Sequence, residues 1–239
     1  MATTELTALL TAGLLGVTHA LEPDHVAGIS SLTSEYADSR LSALAGACFS
    51  LGHVALVVAW LGVGYVVLGR TAFPAVFEAA GTAGAGVLLG LLGAVMAVTG
   101  LRRTVRTTEH DHETVTHSHP HLHLPLPGFD DHDHGHDTIS YLKTGLVGAL
   151  FTLSPPVSML VFASTLLPDF GTTVVSLAVV TYGVTITVTM SLLGAGAGAL
   201  FGFTEAWSET FHGAAQTVAG VAIAALAATL LVDAVPVLL

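Results

Sequence analysis

The 239-residue chain is organised as long apolar runs separated by short polar breaks, with apolar stretches near 5–21, 41–69, 74–101, 140–167, 171–203 and 211–232. Each is close to or longer than the roughly 20 residues needed to cross the hydrocarbon core of a bilayer. Membrane-barrel strands would show as alternating segments of about ten residues. These segments are instead continuous runs of Ala, Val, Leu and Gly, and Gly is well tolerated in membrane helices. The pattern predicts an all-α polytopic membrane protein with six transmembrane helices.

Composition supports this reading, since only 10% of the residues are charged, against about 25% in an ordinary soluble domain. The first apolar segment lacks a basic leader and carries Glu5, His19, Glu22 and Asp24 at or near its ends. It is therefore expected to be mature structure rather than a signal peptide. The net charge of -11 is concentrated, because seven of the seventeen acidic residues lie between Glu109 and Asp137. Cys48 is the single cysteine, which excludes an intramolecular disulfide framework and leaves a small core residue as its simplest role. Arg102, Arg103, Arg106 and Lys143 flank the third connection, with Arg40 at the first and Arg70 at the second. Placing the third connection in the cytoplasm puts five of these six cations inside, as the positive-inside tendency requires. The chain is thus expected to be a multi-pass protein of the cell (plasma) membrane. Nothing points to nucleic acid as a partner.

Compared with itself at an offset of 132 residues, the chain sets Gly13-Leu14-Leu15-Gly16 against Gly145-Leu146-Val147-Gly148, Leu21 against Leu153 and Pro23 against Pro155. Two copies of three helices each must be inserted in opposite directions, the inverted-repeat plan of many transporters. The expected organisation is a first three-helix repeat over 1–101, a histidine-rich loop over 102–139 and a second repeat over 140–239. Proline removes a backbone donor and clashes with the preceding turn. Pro23 and Pro155-Pro156 are accordingly expected to break helices 1 and 4. Broken membrane helices leave backbone polar groups that survive only inside protein or beside a watery cavity, so they mark substrate sites.

Around the first break the chain reads His19-Ala20-Leu21-Glu22-Pro23-Asp24-His25. Two imidazoles and two carboxylates in seven residues of an apolar segment are costly to bury and default to function. Imidazole nitrogen with one or two carboxylate oxygens suits nickel, cobalt or zinc and suits magnesium or calcium poorly. In an unbroken helix His19 and His25 would lie on different faces, whereas a break at Pro23 allows both to meet one ion. Glu22 and Asp24 would balance part of its charge. His53 follows in Phe49-Ser50-Leu51-Gly52-His53, and no other His, Asp, Glu, Lys or Arg lies between Leu41 and Gly69. It would add a nitrogen if the second helix packs beside the first. Gly52 would permit a close approach of the two helices.

These two segments resemble the nickel/cobalt transporter family, whose hallmarks are His, four residues, Asp, His in one membrane helix and Leu-Gly-His in the next. The form His-Ala-Leu-Glu-Pro-Asp-His is most similar to the six-helix branch that includes nickel permeases associated with urease and hydrogenase maturation. The resemblance implies that His19, Asp24, His25 and His53 select the metal, with Glu22 beside them, and that the chain is a secondary-type carrier and not an enzyme. No cofactor beyond the transported nickel or cobalt is implied. The eight-helix uptake members carry an acidic Asp-Thr-Ala-Thr-Glu segment in a later helix, where this chain has Leu153-Ser154-Pro155-Pro156-Val157-Ser158. That region is nearer to the Pro-Cys-Pro of efflux-type relatives, so uptake, favoured by the first motif, stands beside efflux as the alternative.

Nine of the thirteen histidines fall between His110 and His136, interleaved with acidic residues and with Pro120, Pro125 and Pro127. Such a segment has too little apolar content to build a core and is expected to be disordered, with weak multivalent metal capture as its chemistry. It is also where a cytoplasmic metallochaperone would meet the chain. Neither a phosphate-binding loop nor a phosphorylatable pump motif is present, so the driving force is expected from ion gradients or the membrane potential. A different class of function, an intramembrane zinc metalloenzyme, would need an open coordination position and a placed general base. The His-Glu-x-x-His arrangement that supplies them in zinc proteases is missing. A metal sensor acting through the loop alone would leave the membrane histidines without a role.

Overall fold

The computed structural model describes residues 2–34, 36, 38–64, 75–108, 146–147, 150 and 157–239. Among these residues there are six helices and no strand: α1 (Ala2–Ala20), α2 (Pro23–Thr33), α3 (Ser39–Gly62), α4 (Ala75–Thr108), α5 (Val157–Trp207) and α6 (Glu209–Leu238). Four of them, α3 to α6, are long and apolar enough to cross a membrane. The pair α1 and α2 makes a fifth candidate span, bent by 58° at its break. Half of the span predicted over 140–167 lies outside the described residues, as do Pro155-Pro156 and residues 109–139 of the histidine-rich segment, whose first residues, 102–108, instead continue α4.

The polar residues between apolar runs start and stop these helices. Asp38 caps α3 by accepting hydrogen bonds from the backbone N–H groups of Arg40 (2.9 Å) and Leu41 (2.8 Å). Ser208 does the same for α6 through the N–H of Phe211 at 3.0 Å. Both side chains satisfy donors that the first turn of a helix leaves without partners. A straight helix of the 51 residues of α5 would run about 77 Å at 1.5 Å per residue, more than twice the thickness of a hydrocarbon core. Gly171, at φ 68° and ψ -175°, interrupts it. That conformation is open to glycine and almost closed to other residues. Phe162 and Leu166 before the break, and Val174, Val175 and Ala178 after it, gather around Ala8 and Ala12 of α1. The two arms of α5 therefore lie alongside each other.

Close helix contact rests on small residues at matching positions. On α4, Gly86, Gly93 and Gly100 recur every seven residues, and on α6 Gly213, Gly220 and Ala227 do the same. The helices run antiparallel, so Gly100 meets Gly213, Gly93 meets Gly220 and Gly86 meets Ala227, with backbone against backbone. Helix α3 runs antiparallel to α5 by the same device, Gly46 seated on the carbonyl of Met190 and Gly194 on that of Ser42. Helix α1 runs parallel to the second arm of α5, and Gly16 lies against Thr185 and the carbonyl of Tyr182. In lipid, where no hydrophobic drive joins one apolar helix to another, such close packing is a main source of association. The α2–α3 connection, the end of α4 and the α5–α6 turn consequently share one end of the bundle. Helix α2 lies inside, touching α3, α4, α5 and α6.

A Cβ at Gly220 would overlap the Gly93 carbonyl and the Ala97 backbone. Gly220→Val is therefore expected to lower stability by about 1–3 kcal/mol or more, read as a lower melting temperature and poorer yield in detergent. Gly196 lies on the same kind of helix with open space around it. Gly196→Ala is expected to hold or raise the melting temperature, by up to about 1 kcal/mol of helix preference.

Candidate metal centre

The centre forms where the first span breaks. Helix α1 ends at Ala20, and the backbone N–H of Glu22 closes a tight turn on the carbonyl of His19 at 3.1 Å. Glu22 then takes an extended conformation, with ψ 141°, and α2 starts at Pro23. Proline fits there because its missing N–H is one that a first helical position would leave without a partner. The break carries His19 from the last turn of α1 and His25 from the first turn of α2 to a ring-centroid separation of 4.6 Å.

His53 enters from α3, with ring centroids 5.1 Å from His19 and 4.8 Å from His25. One ligand nitrogen from each of the three histidines lies within 4.8 Å of the other two. The Nε2 atoms of His19 and His53 face each other at 3.0 Å. His25 and His53 are only 2% and 1% exposed. The cluster joins α1, α2 and α3, as the two sequence motifs lead one to expect.

The carboxylates set the tautomers. His19 Nδ1 lies 3.0 Å from Glu22 Oε1, and His25 Nδ1 lies 3.0 Å from Asp24 Oδ1. A carboxylate oxygen only accepts, so each Nδ1 is the donor and each Nε2 keeps its lone pair. Asp24 Oδ1 is itself held by the backbone N–H of His25 at 3.0 Å, at a helix N-terminus that favours negative charge. His25 Nε2 is buried and has no hydrogen-bond partner. This is the carboxylate–histidine arrangement typical of ligating imidazoles, in which the second partner fixes the ring and raises its basicity. Glu22, Asp24 and His25 also place one ligand-type atom each within 4.8 Å of one another. Both carboxylates therefore stand beside the histidine cluster.

Phe49 meets the edge of His25 at 6.4 Å and belongs to the same buried apolar core as Met159, Leu160, Ala163 and Ile186. On the other side, Glu22 has half of its side chain exposed, which leaves the carboxylate side as the open approach.

The second half of the chain supplies one residue to which the pattern gives no special weight. Tyr182 of α5 stacks on His19 at a ring separation of 6.0 Å. Its hydroxyl is buried and has no partner. The nearby hydroxyls are otherwise engaged: Thr181, Thr185 and Thr187 donate to carbonyls one turn back in α5, at 2.8 to 3.0 Å. Ser50 likewise donates to the carbonyl of Ala47 at 2.8 Å. Ser154 lies outside the described residues. The sequence signal for Tyr182 is weak, a phenol in an apolar helix, and only the fold brings it to the histidines.

The sequence profile of the NicO family, described as high-affinity nickel-transport protein, matches residues 6–148, which include both histidine motifs and more than half of the chain. No curated protein and no solved structure matches it. With its motifs inside the matched region, the chain belongs to the NicO family of high-affinity nickel-transport proteins.

Proposed function

We propose that the chain moves nickel, and cobalt with it, across the cell membrane by a secondary-type mechanism in which His19, His25 and His53 hold the ion. The observation that carries this reading is the unpartnered, buried Nε2 of His25, set beside two further imidazoles whose Nε2 atoms face each other. Three neutral nitrogens suit a borderline divalent ion, and Glu22 and Asp24 offset its charge in a low-dielectric interior. Family membership supports carriage over hydrolysis.

Import is the direction that fits the first motif best. A divalent cation entering an inside-negative cell gains about 2.3 kcal/mol per charge per 100 mV, so the membrane potential alone supplies a substantial drive. The basic residues Arg40, Arg102 and Arg103 lie towards the end of the bundle where α3 starts and α4 finishes. Their placement supports a cytoplasmic position for that end and for the histidine-rich segment that follows Thr108, where a metallochaperone would collect the ion. Departure from the triad requires no change of oxidation state, only exchange of ligands.

Nickel flux into proteoliposomes of known orientation tests the reading. The natural chain is expected to show saturable flux with nickel and with cobalt, and His25→Ala to lose at least about 90% of it, in line with the 10- to 100-fold losses seen when a metal site is disturbed. Flux indifferent to His25→Ala would sink the assignment of the triad. Tyr182→Phe removes a buried hydroxyl that has no partner, so the metal-free protein is expected to melt no lower than the natural chain. Its stabilisation by nickel is expected to shrink, and an unchanged nickel-induced shift would exclude Tyr182 from the centre. Deletion of residues 108–137 is expected to alter the apparent affinity for nickel while flux persists; complete loss of flux in a folded deletion variant would contradict a purely capturing role.

A further inference from the structure

A second group of buried polar side chains gathers at the far end of α2. Thr33, Ser34, Thr204, His212 and Gln216 are between 0% and 5% exposed. His212, in the first turn of α6, is buried against the end of α5.

The hydrogen bonds in this group leave two acceptors on one face of α6. Thr204 Oγ1 donates to the carbonyl of Phe201 at 2.7 Å, so it accepts from His212 Nδ1 at 2.9 Å, and the same nitrogen lies 3.2 Å from that carbonyl. Nδ1 therefore carries the proton and Nε2 keeps its lone pair. One turn further along, Gln216 Nε2 donates to the carbonyl of Ser34 at 3.1 Å. Gln216 Oε1 is fully buried and has no partner. Residues four apart share a helix face. A buried acceptor without a donor costs about 1–3 kcal/mol, and a cation is the kind of partner that an imidazole lone pair and an amide oxygen both accept.

The position of this pair matters as much as its chemistry. Ser34 is the residue that ends α2, and His25 stands in its first turn. Nine residues of helix separate them, about 14 Å at 1.5 Å per residue. The C-terminal end of α2 also presents the negative end of its dipole. The neighbouring Gly213 touches Thr104 and Arg103 near the end of α4. The charged side chains acting on His212 are Arg103 and Glu205, of opposite sign.

We propose that His212 Nε2 and Gln216 Oε1 form a second, weaker station for the transported divalent cation, reached along α2 from the histidine triad. This rests on the reading of the chain as a nickel carrier. One neutral nitrogen and one neutral oxygen hold a borderline cation less firmly than three imidazoles flanked by carboxylates. The ion passes down a gradient of ligand strength towards the end of the bundle where α4 finishes.

The test uses the full chain in proteoliposomes with radioactive nickel, comparing Gln216→Leu, His212→Asn and Gln216→Glu with the natural protein and with His25→Ala. Gln216→Leu and His212→Asn are each expected to lower the maximal rate at least about tenfold. The half-saturating concentration should stay within about twofold, because loading occurs at the triad. Gln216→Glu places a charged oxygen at the same point and is expected to slow release of preloaded nickel severalfold. His212→Asn leaves the bond to Ser34 intact, so it decides the matter if Gln216→Leu fails to fold. Natural rates in variants that melt with the natural chain would overturn the station, and so would slow flux with release from Gln216→Glu at the natural rate. Flux that survives His25→Ala would instead overturn the carrier reading beneath it.

Discussion

A helix interrupted inside an apolar protein has to find partners for the backbone groups that the interruption frees, and much of this structure follows from that requirement at Leu21 and Glu22. The break is kept short: Leu21 and Glu22 still bond to carbonyls in the last turn of α1, and α2 restarts at once with a proline that brings no N–H of its own. What the interruption changes is direction. A bend of 58° turns two histidines from different helical faces towards a third on α3, and α2 is drawn into the interior among α3, α4, α5 and α6. Shielding a helix in that position requires a tight surrounding bundle.

Small residues provide that tightness. Glycines spaced by seven on α4 and α6 bring two backbones into contact, and Gly46, Gly194 and Gly16 do the same for the contacts of α5 with α3 and α1. A side chain at any of these points would push a helix outward and loosen the walls around α2. The site and the packing are therefore one problem, since the imidazoles keep their geometry only while Phe49 and Tyr182 stay against them.

Electrostatics completes the arrangement. Glu22 and Asp24 each hold one Nδ1, so that the carboxylates orient two of the three imidazoles, and in the proposed carrier the same groups would lower the cost of bringing a divalent charge into the bundle. The α6 residues repeat this logic in weaker form, with a threonine and backbone carbonyls in place of carboxylates. In the proposed carrier, the stronger and weaker ligand sets at opposite ends of α2 would give a moving ion two successive positions.

The linear chain determines the helical membrane fold and the ligand-type residues of the candidate metal centre. Long apolar runs admit no other secondary structure in lipid, and His19, Glu22, Asp24, His25 and His53 are conspicuous because ionisable groups in such runs are rare. Pro23 marks the break for the same local reason, a missing donor. Contacts between distant segments were decided only by tertiary structure. Nothing in the spacing of Tyr182, His212 or Gln216 sets them apart from ordinary polar residues of apolar helices. Their importance comes from being buried with acceptors or hydroxyls turned inward, which depends on the register of α5 against α1 and of α6 against α4. That register is set by which glycines meet across helices far apart in the chain, a property of pairs of helices that no single segment carries by itself.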